Sequence, residues 1–351
     1  MKILIVQDYL RSGGTERQSI FLAEAFFERS HDVTLLTFRP GGQLAEWVSP
    51  KVKRLVLQRT DRKLDWWAPG LARVAGEIAP DIVLCMGRMA NCWAGRIARA
   101  VRARGLRTRV IATMRTGKHL PWLYRRSLHQ ADHVVANSRD SMHVLIDRYG
   151  VPADKVSVIY NAIVALPHPA GEMPSERPRE VVMLHVGMFR PEKNQRELIE
   201  ICRELPRDFA WQLELAGAGE ELENCHKLVR DYGLQDRVTF AGYSAQPQQL
   251  YQHAAVAVMA SKSESLSNFL IEAHVHGVPS VSYRAAGVDE CGGIAVPAGD
   301  RNAFRSALLP LLTDPSYRAR ESVRVREFAL KHFSPATQTA EYLQLFEKLL
   351  S

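Results

Sequence analysis

Twice along this chain, short apolar runs alternate with longer amphipathic segments, and a polar, proline-rich stretch separates the two series. The first series holds apolar runs at residues 2–7, 33–38, 52–57, 81–86, 109–114, 133–137 and 156–160. The second holds runs at 181–187, 211–217, 237–242, 254–260, 279–283 and 293–296. Runs this short and this uniformly apolar need cover on both faces, and the intervening helical patterns supply it. The pattern therefore predicts two doubly wound α/β units with parallel sheets. The segment 15–29 is one such helix, with Ile20, Leu22, Ala23, Phe26 and Phe27 as its apolar stripe and Thr15 as its expected N-cap. Prolines 167, 169, 174 and 178, with Gly171 and Ser175, mark a linker. The expected organisation is a first domain over 1–165, a linker over 166–180, a second domain over 181–335 and a C-terminal helix over 336–351 packing back toward the first domain. Two such domains leave a cleft that the carboxyl ends of both sheets can face.

Composition narrows the functional class. A chain of 351 residues, 46% apolar and 24% charged, has ample material for two hydrophobic cores. The opening MKILIVQD has too short an apolar run for a secretion signal, and no run approaches membrane-spanning length. The five cysteines, Cys85, Cys92, Cys202, Cys225 and Cys291, are scattered and form no C-x-x-C pair, as expected for reduced thiols in the cytoplasm without a structural metal.

Charge is uneven: residues 1–165 carry a net +12 and residues 166–351 a net −4. Arg96 to Arg126 contains ten basic residues and no acid, with Trp93, Trp122 and Tyr124 in or beside it. Basic residues mixed with interfacial aromatics suit an anionic membrane surface or a phosphorylated acceptor, and equally suit a solvated helix face. No nucleic-acid-binding motif accompanies them, so nucleic acid is not an expected partner.

The segment ESLSNFLIEAHVHGVPSV, 264–281, follows an expected buried strand. It sets Glu264 in the loop leaving that strand and Glu272 in the first turns of the next helix. Two carboxylates accept hydrogen bonds from hydroxyls, and the amides of Leu266, Ser267 and Asn268 point at an anion from a helix N-terminus. Together they match a diphosphate flanked by polyhydroxyl groups, as in a nucleotide sugar. After the first strand of the second series comes HVGMFRPEKNQ, where Gly187 permits a tight turn and Arg190 and Lys193 offer charge to a departing diphosphate. After the first strand of the chain comes RSGGTERQ, whose Gly13 and Gly14 let backbone approach a ligand. LAGAGEELE, 215–223, lacks the third glycine of a dinucleotide fingerprint and reads as a strand–helix turn. His185 alternates within a strand as a packed residue. His274 and His276 diverge on a helix, and no D-x-D pair is present, so no metal is expected.

In this order GGTER, ANSRDS, YNAI, VGMFRPEKN, LAGAGEELE, RVTFAGY, the E-x7-E segment with NFLIEA, and GGIAVPAGD resemble the family 4 (group 1) glycosyltransferases over nearly the whole chain. The resemblance implies a GT-B fold and a retaining, metal-independent hexosyl transfer from a nucleotide sugar, UDP-type, with no cofactor. The acceptor would be a saccharide or lipid-linked saccharide of surface-glycan or lipopolysaccharide-type biosynthesis, met at the inner face of the cytoplasmic membrane.

By the same resemblance Glu264 would bind the donor sugar and Glu272 the ribose. Arg190, Lys193 and the 266–268 amides would hold the diphosphate, and Tyr243–Ser244 would lie near the base. Gly13 and Gly14 would shape the acceptor side. Three positions depart from the family pattern: Met188 replaces an arginine, Ser265 replaces a glycine, and Arg115, with His119 beyond it, stands where a histidine is common. Arg115 would suit an anionic acceptor. A nucleotide-sugar epimerase of the same fold, or a catalytically silent nucleotide-sugar-binding scaffold, are the competing readings. The first would turn over donor without acceptor, and the second would bind without turnover.

Overall fold

The computed structural model describes residues 1–11, 13–115, 119–163, 181–244 and 248–351. The expected linker, 166–180, lies outside the described residues. The chain divides into two compact units: Met1–Ala162 with Pro335–Ser351, and Ile163–Ser334.

The first unit is a parallel sheet of β1 (Lys2–Gln7), β2 (Asp32–Thr37), β3 (Lys53–Val56), β4 (Ile82–Cys85), β5 (Arg109–Met114), β6 (His133–Ala136) and β7 (Val156–Val158), in the order β3-β2-β1-β4-β5-β6-β7. Each strand coincides with an apolar run read from sequence. Helices α1 (Gly14–Glu28), α2 (Leu71–Ile78), α3 (Arg88–Ala103), α4 (Trp122–Gln130) and α5 (Arg139–His143) connect them.

Alternate residues of the strands feed separate cores. Leu4, Val6 and Val83 join one with α3, while Ile3, Ile5 and Leu84 join another with α1. The C-terminal segment belongs to this second core. Counting helices in chain order, it is α12 (Pro335–Leu350), whose Tyr342 and Phe346 rings lie 6.2 and 5.4 Å from the ring of Phe26. Burying Tyr342, Leu345 and Phe346 contributes roughly 1.5–3 kcal/mol per side chain. Gln338 Nε2 also donates to the carbonyl of Tyr160 at 2.7 Å, fixing the start of the helix.

The second unit is a parallel sheet of β8 (Val181–Val186), β9 (Trp211–Ala216), β10 (Val238–Gly242), β11 (Val256–Met259), β12 (Ser280–Tyr283) and β13 (Ile294–Val296), in the order β10-β9-β8-β11-β12-β13. Its helices are α6 (Gln195–Arg203), α7 (Leu222–Asp231), α8 (Gln248–His253), α9 (Asn268–Val275), α10 (Arg301–Thr313) and α11 (Pro315–His332). Local chemistry sets several of the starts. Asp300 accepts from the Ala303 amide at 2.9 Å, and Asp314, just before Pro315, accepts from the Ser316 and Tyr317 amides at 2.8 and 3.0 Å.

In both orders the sequence of strands reverses beside the first strand of the unit, between β1 and β4 and between β8 and β11. Loops leaving the carboxyl ends of such neighbours diverge to opposite faces, and the crevice between them is where open α/β sheets bind ligands.

Candidate functional site

The second unit's reversal point brings together the two elements singled out in sequence. The loop after β8 carries Lys193 and the loop after β11 carries Glu264, and Lys193 Nζ donates to Glu264 Oε1 at 2.6 Å. The Glu264 side chain is 9% exposed and that of Lys193 is 29%, so the pair is mostly desolvated and its attraction is stronger than at an open surface.

The first loop is shaped for this meeting. Asn194 adopts a left-handed φ of 54°, which asparagine tolerates better than most residues, and its Nδ2 donates to the Ala260 carbonyl at 3.2 Å. The Lys262 amide donates to the Glu192 carbonyl at 2.8 Å, binding the two loops a second time. Gly187 begins the turn out of β8, and its amide donates to Ala216 at 2.9 Å.

Neighbouring loops lock the pair from behind. A Cβ on Gly217 would overlap the carbonyl oxygen of Gly187, and one on Gly219 would overlap that of Phe189. LAGAGEELE is thus a strand–helix turn whose glycines let it nest against the 187–189 loop. Gly287, at φ 72°, does the same for the other loop, because a Cβ there would overlap the carbonyl of Ser265. Nothing in the spacing of Gly287 from Glu264 marked it beforehand.

Ser267 caps α9, its Oγ accepting from the Leu270 amide at 3.4 Å and donating to Met259 Sδ at 3.3 Å. Its hydroxyl is therefore structural. Leu266 is buried. What this segment can offer an anion is backbone at a helix N-terminus, as its sequence implied. Asn268 opens α9, and Glu272 sits one turn on. Tyr251 OH donates to Glu272 Oε2 at 2.8 Å, and the Tyr251 ring stacks on His276 at 5.0 Å. Tyr251 thus orients Glu272, and sequence reading missed it, since a tyrosine of α8 carries no signal of its tertiary partner. Tyr243, at the end of β10, is 67% exposed, and Ser244 follows it.

The histidines are packed, as alternation implied for His185. His185 is buried against the Val258 carbonyl (Nδ1, 3.0 Å), and burial pulls its pKa down to about 4. His274 is held by Cys291 O at 2.9 Å and Ser280 Oγ at 2.8 Å, and burial lowers it to about 4 as well. Both rings are neutral at physiological pH.

Arg190 and Lys193, expected to act together, have different surroundings. The Lys193 amide donates to the Arg190 carbonyl at 2.9 Å, so the two share one tight turn. The Lys193 side chain reaches Glu264, whereas the Arg190 side chain lines a cavity with Arg196, Lys262 and Arg301. Met188, the position of the missing arginine, is 51% exposed.

In the first unit, Gly13 and Gly14 sit after β1 at the other reversal point. Gly13, not Thr15, is the N-cap of α1, and the helix begins at Gly14. The Glu16 carboxylate folds back to 2.5 Å from where a Gly13 Cβ would stand, and Gly13 itself is extended, as an N-cap residue is. Arg11 lies 3.7 Å from both Asp8 and Glu16. Burial raises the Asp8 carboxyl to about 6 and pushes Glu16 upward too, in each case against the pull of Arg11. Sequence reading passed over both acids.

Arg115 has a structural partner set. Its guanidinium donates to Asn161 Oδ1 and, at 2.6 Å, to Tyr342 OH of α12. Its buried Nε has no partner. Arg115, expected to face an anionic acceptor, thus has one guanidinium nitrogen on Asn161, beyond β7, and another on the C-terminal helix. His119 is exposed, and its carbonyl accepts from Arg88 at 3.5 Å. Among the described residues, no group of three or more His, Cys, Asp or Glu forms a metal-binding cluster.

Known proteins resemble this chain in sequence and in fold. Residues 12–165 match the model of Glycosyltransferase Family 4, and residues 180–314 match that of Glycosyl transferases group 1. The lipopolysaccharide core biosynthesis glycosyltransferase LpsE of Rhizobium meliloti is 34% identical over 188 residues, 52% of this chain and 54% of that protein. This chain thus spans about half the length of that relative. LpsD of the same organism, also a lipopolysaccharide core biosynthesis glycosyltransferase, is 26% identical over 99% of this chain and 98% of its own. The crystal structure of Anabaena Alr3699/HepE in complex with UDP and glucose superimposes with a TM-score of 0.82 at 20% identity, over 99% of this chain and 100% of that one. With motif order, two parallel-sheet units and matching family models in agreement, this chain belongs to the family 4, group 1 glycosyltransferases and has the GT-B fold.

Proposed function

We propose that this chain is a retaining hexosyltransferase that passes a sugar from a UDP-type nucleotide sugar to a saccharide or lipid-linked acceptor in lipopolysaccharide-type or other surface-glycan synthesis. The observation that carries the reading is the Lys193–Glu264 pair across the β8–β11 reversal, with Glu272 on the helix that follows. A diphosphate beside Lys193 and the start of α9 meets fixed positive charge, and the carboxylates accept sugar and ribose hydroxyls. The names of LpsD and HepE support glycan synthesis and a uridine nucleotide.

Chemically, the bond from the anomeric carbon to the leaving phosphate oxygen breaks as the bond to the acceptor oxygen forms on the same face. The acceptor's proton passes to that phosphate oxygen, and the sugar traverses an oxocarbenium-like state. Lys193 stabilises the charge growing on the leaving group, the kind of preorganised electrostatics that dominates such barriers. The charge that a metal would otherwise balance falls to Lys193 and the helix terminus, so the reaction is metal-independent.

The second reading is a silent nucleotide-sugar-binding scaffold, which Met188 favours because it places an uncharged side chain beside the phosphate loop. A thermal-shift screen of nucleoside diphosphates and their sugars, with and without EDTA, tests the proposal. A selective shift with one UDP-sugar that survives EDTA, followed by its turnover with acceptor, is the expected result. A shift without any turnover moves the assignment to the scaffold, and a shift abolished by EDTA removes metal independence.

The reading extends to a membrane surface. Around α3 the first unit displays Trp66 and Trp122, each more than half exposed. Trp93 Nε1 donates to the Trp66 carbonyl at 3.3 Å, and Ser127 of α4 donates to the Cys92 carbonyl at 2.8 Å. Arg62, Arg96 and Arg126 stack on Trp67, Trp93 and Trp122 at 4.7, 5.0 and 5.4 Å. Among the described residues no helix is long and apolar enough to cross a membrane. Amphipathic aromatics with arginines over them suit peripheral contact with anionic lipid headgroups.

A further inference from the structure

The second unit also holds a half-open cavity of about 350 Å³, and neither residue of the Lys193–Glu264 pair lines it. Its charges do not cancel. Arg301 is spent on Glu197, donating through Nε and Nη2 at 2.8 Å each, and this contact is the main reason the Glu197 carboxyl is held below its ordinary range. Glu200 accepts from Tyr232 OH at 2.6 Å. Among the described residues, no ion pair engages Arg190, Arg196 or Lys262. Once Arg301 is set against Glu197, three cations, Arg190, Arg196 and Lys262, line the space against two acids, Glu200 and Glu221, the latter accepting from Asn224 at 3.2 Å, which leaves an excess of one positive charge.

A second observation points to a ligand. Gln195 is 1% exposed and lines the same cavity. Its Nε2 donates to the Met188 carbonyl at 3.0 Å, which leaves its buried Oε1 without a hydrogen-bond partner. A buried acceptor of this kind costs stability unless a donor reaches it. Cations for an anionic group, with an orphan carbonyl and a nearby carboxylate for hydroxyls, describe a small molecule bearing both phosphate and hydroxyl groups. The volume suits a compound of that size.

We propose that this cavity is a second ligand site, separate from the donor site, that binds a phosphorylated sugar or polyol through Arg190, Arg196 and Lys262, with Gln195 and Glu221 accepting from its hydroxyls. Guanidinium groups engage phosphate in bidentate fashion, and Lys262 adds a point charge. The site shares the Arg190–Lys193 turn with the donor pair, so it rests on the transferase reading only for its relation to catalysis and not for its own chemistry.

Calorimetric titration of the full chain with glucose 6-phosphate, glycerol 3-phosphate and inorganic phosphate, with and without saturating UDP, tests it. The expected result is binding of at least one phosphorylated compound more tightly than inorganic phosphate, unchanged by UDP and weakened at least tenfold in the Arg196→Ala/Lys262→Ala double variant. Both substituted side chains are exposed, so the fold should persist, and a thermal unfolding scan checks that. Displacement by UDP would merge this cavity with the donor site and overturn the proposal. So would the absence of binding at millimolar concentration, or equal binding by the folded double variant. If UDP itself fails to bind, the transferase reading falls while the titration without UDP still decides this site.

Discussion

Glu264 lies almost wholly enclosed with the ammonium of Lys193 at 2.6 Å, and neither charge is sensibly kept there without the other. Removing one leaves a desolvated partner and also strips the proposed donor site of a charge. Lys193→Ala and Glu264→Ala should each reduce turnover by roughly 10²–10³. The double variant should be scarcely worse than either single, since residues acting as a unit are non-additive. Single-turnover rates measure this, and additive losses would separate the two residues. Asp8 makes a different prediction. Its folded pKa of about 6 lies above the ordinary 3.8, so the protonated form is favoured in the fold. Its contribution to stability is full below pH 4 and is lost as pH rises through 6. Asp8→Asn should therefore gain stability over wild type above pH 6, up to about 3 kcal/mol, and nothing below pH 4. Denaturant melts at pH 4 and pH 7.5 give the comparison. No gain at pH 7.5 would show that Arg11 keeps the carboxylate at no cost.

At the scale of elements, the proposed donor site is held by loop against loop more than by any helix or strand alone. Gly217 joins α7's approach to β8's exit, and any side chain there meets backbone, which cannot swing aside as a side-chain tip can. Gly217→Ala also carries the strain of φ 143°. Its cost should be roughly 1–3 kcal/mol in unfolding, with a larger proportional loss of nucleotide affinity. Calorimetric titration with UDP beside a denaturant melt would show it, and unaltered affinity would free the 187–189 loop from this role. Tyr251→Phe removes one hydrogen bond to Glu272 without opening space. A rise in donor KM of about fivefold with kcat little changed is the expected outcome, from a bond worth about 1 kcal/mol. The central strands β1, β4, β8 and β11 could be read from the chain because each is rich in apolar residues, as burial on both faces requires, whereas β3 (KRLV) at the sheet edge is mostly exposed. The start of α1 could not: Thr15 is the better N-cap by type, yet the helix begins at Gly14 with Gly13 as its N-cap and no side-chain cap bond.

For the whole molecule, surface chemistry divides the two units. The aromatics and arginines around α3 predict binding to vesicles containing anionic lipid, falling steeply between low and physiological salt. Vesicle cosedimentation across a salt series checks this, with Trp66→Ser/Trp122→Ser as the variant. Equal binding to neutral vesicles would deny an electrostatic origin. By itself the sequence determined the two parallel-sheet units and the family, because apolar periodicity and motif order are local properties of a chain, and it proposed Lys193, Glu264 and Glu272 for the site. Only the tertiary structure decided what those residues touch. It gave Glu264 to Lys193, Glu272 to Tyr251, Arg115 to Asn161 and Tyr342, and set Arg190 at the edge of a separate cavity. A side chain's partner depends on which loops the strand order brings together, and residues far apart in sequence carry no trace of that meeting.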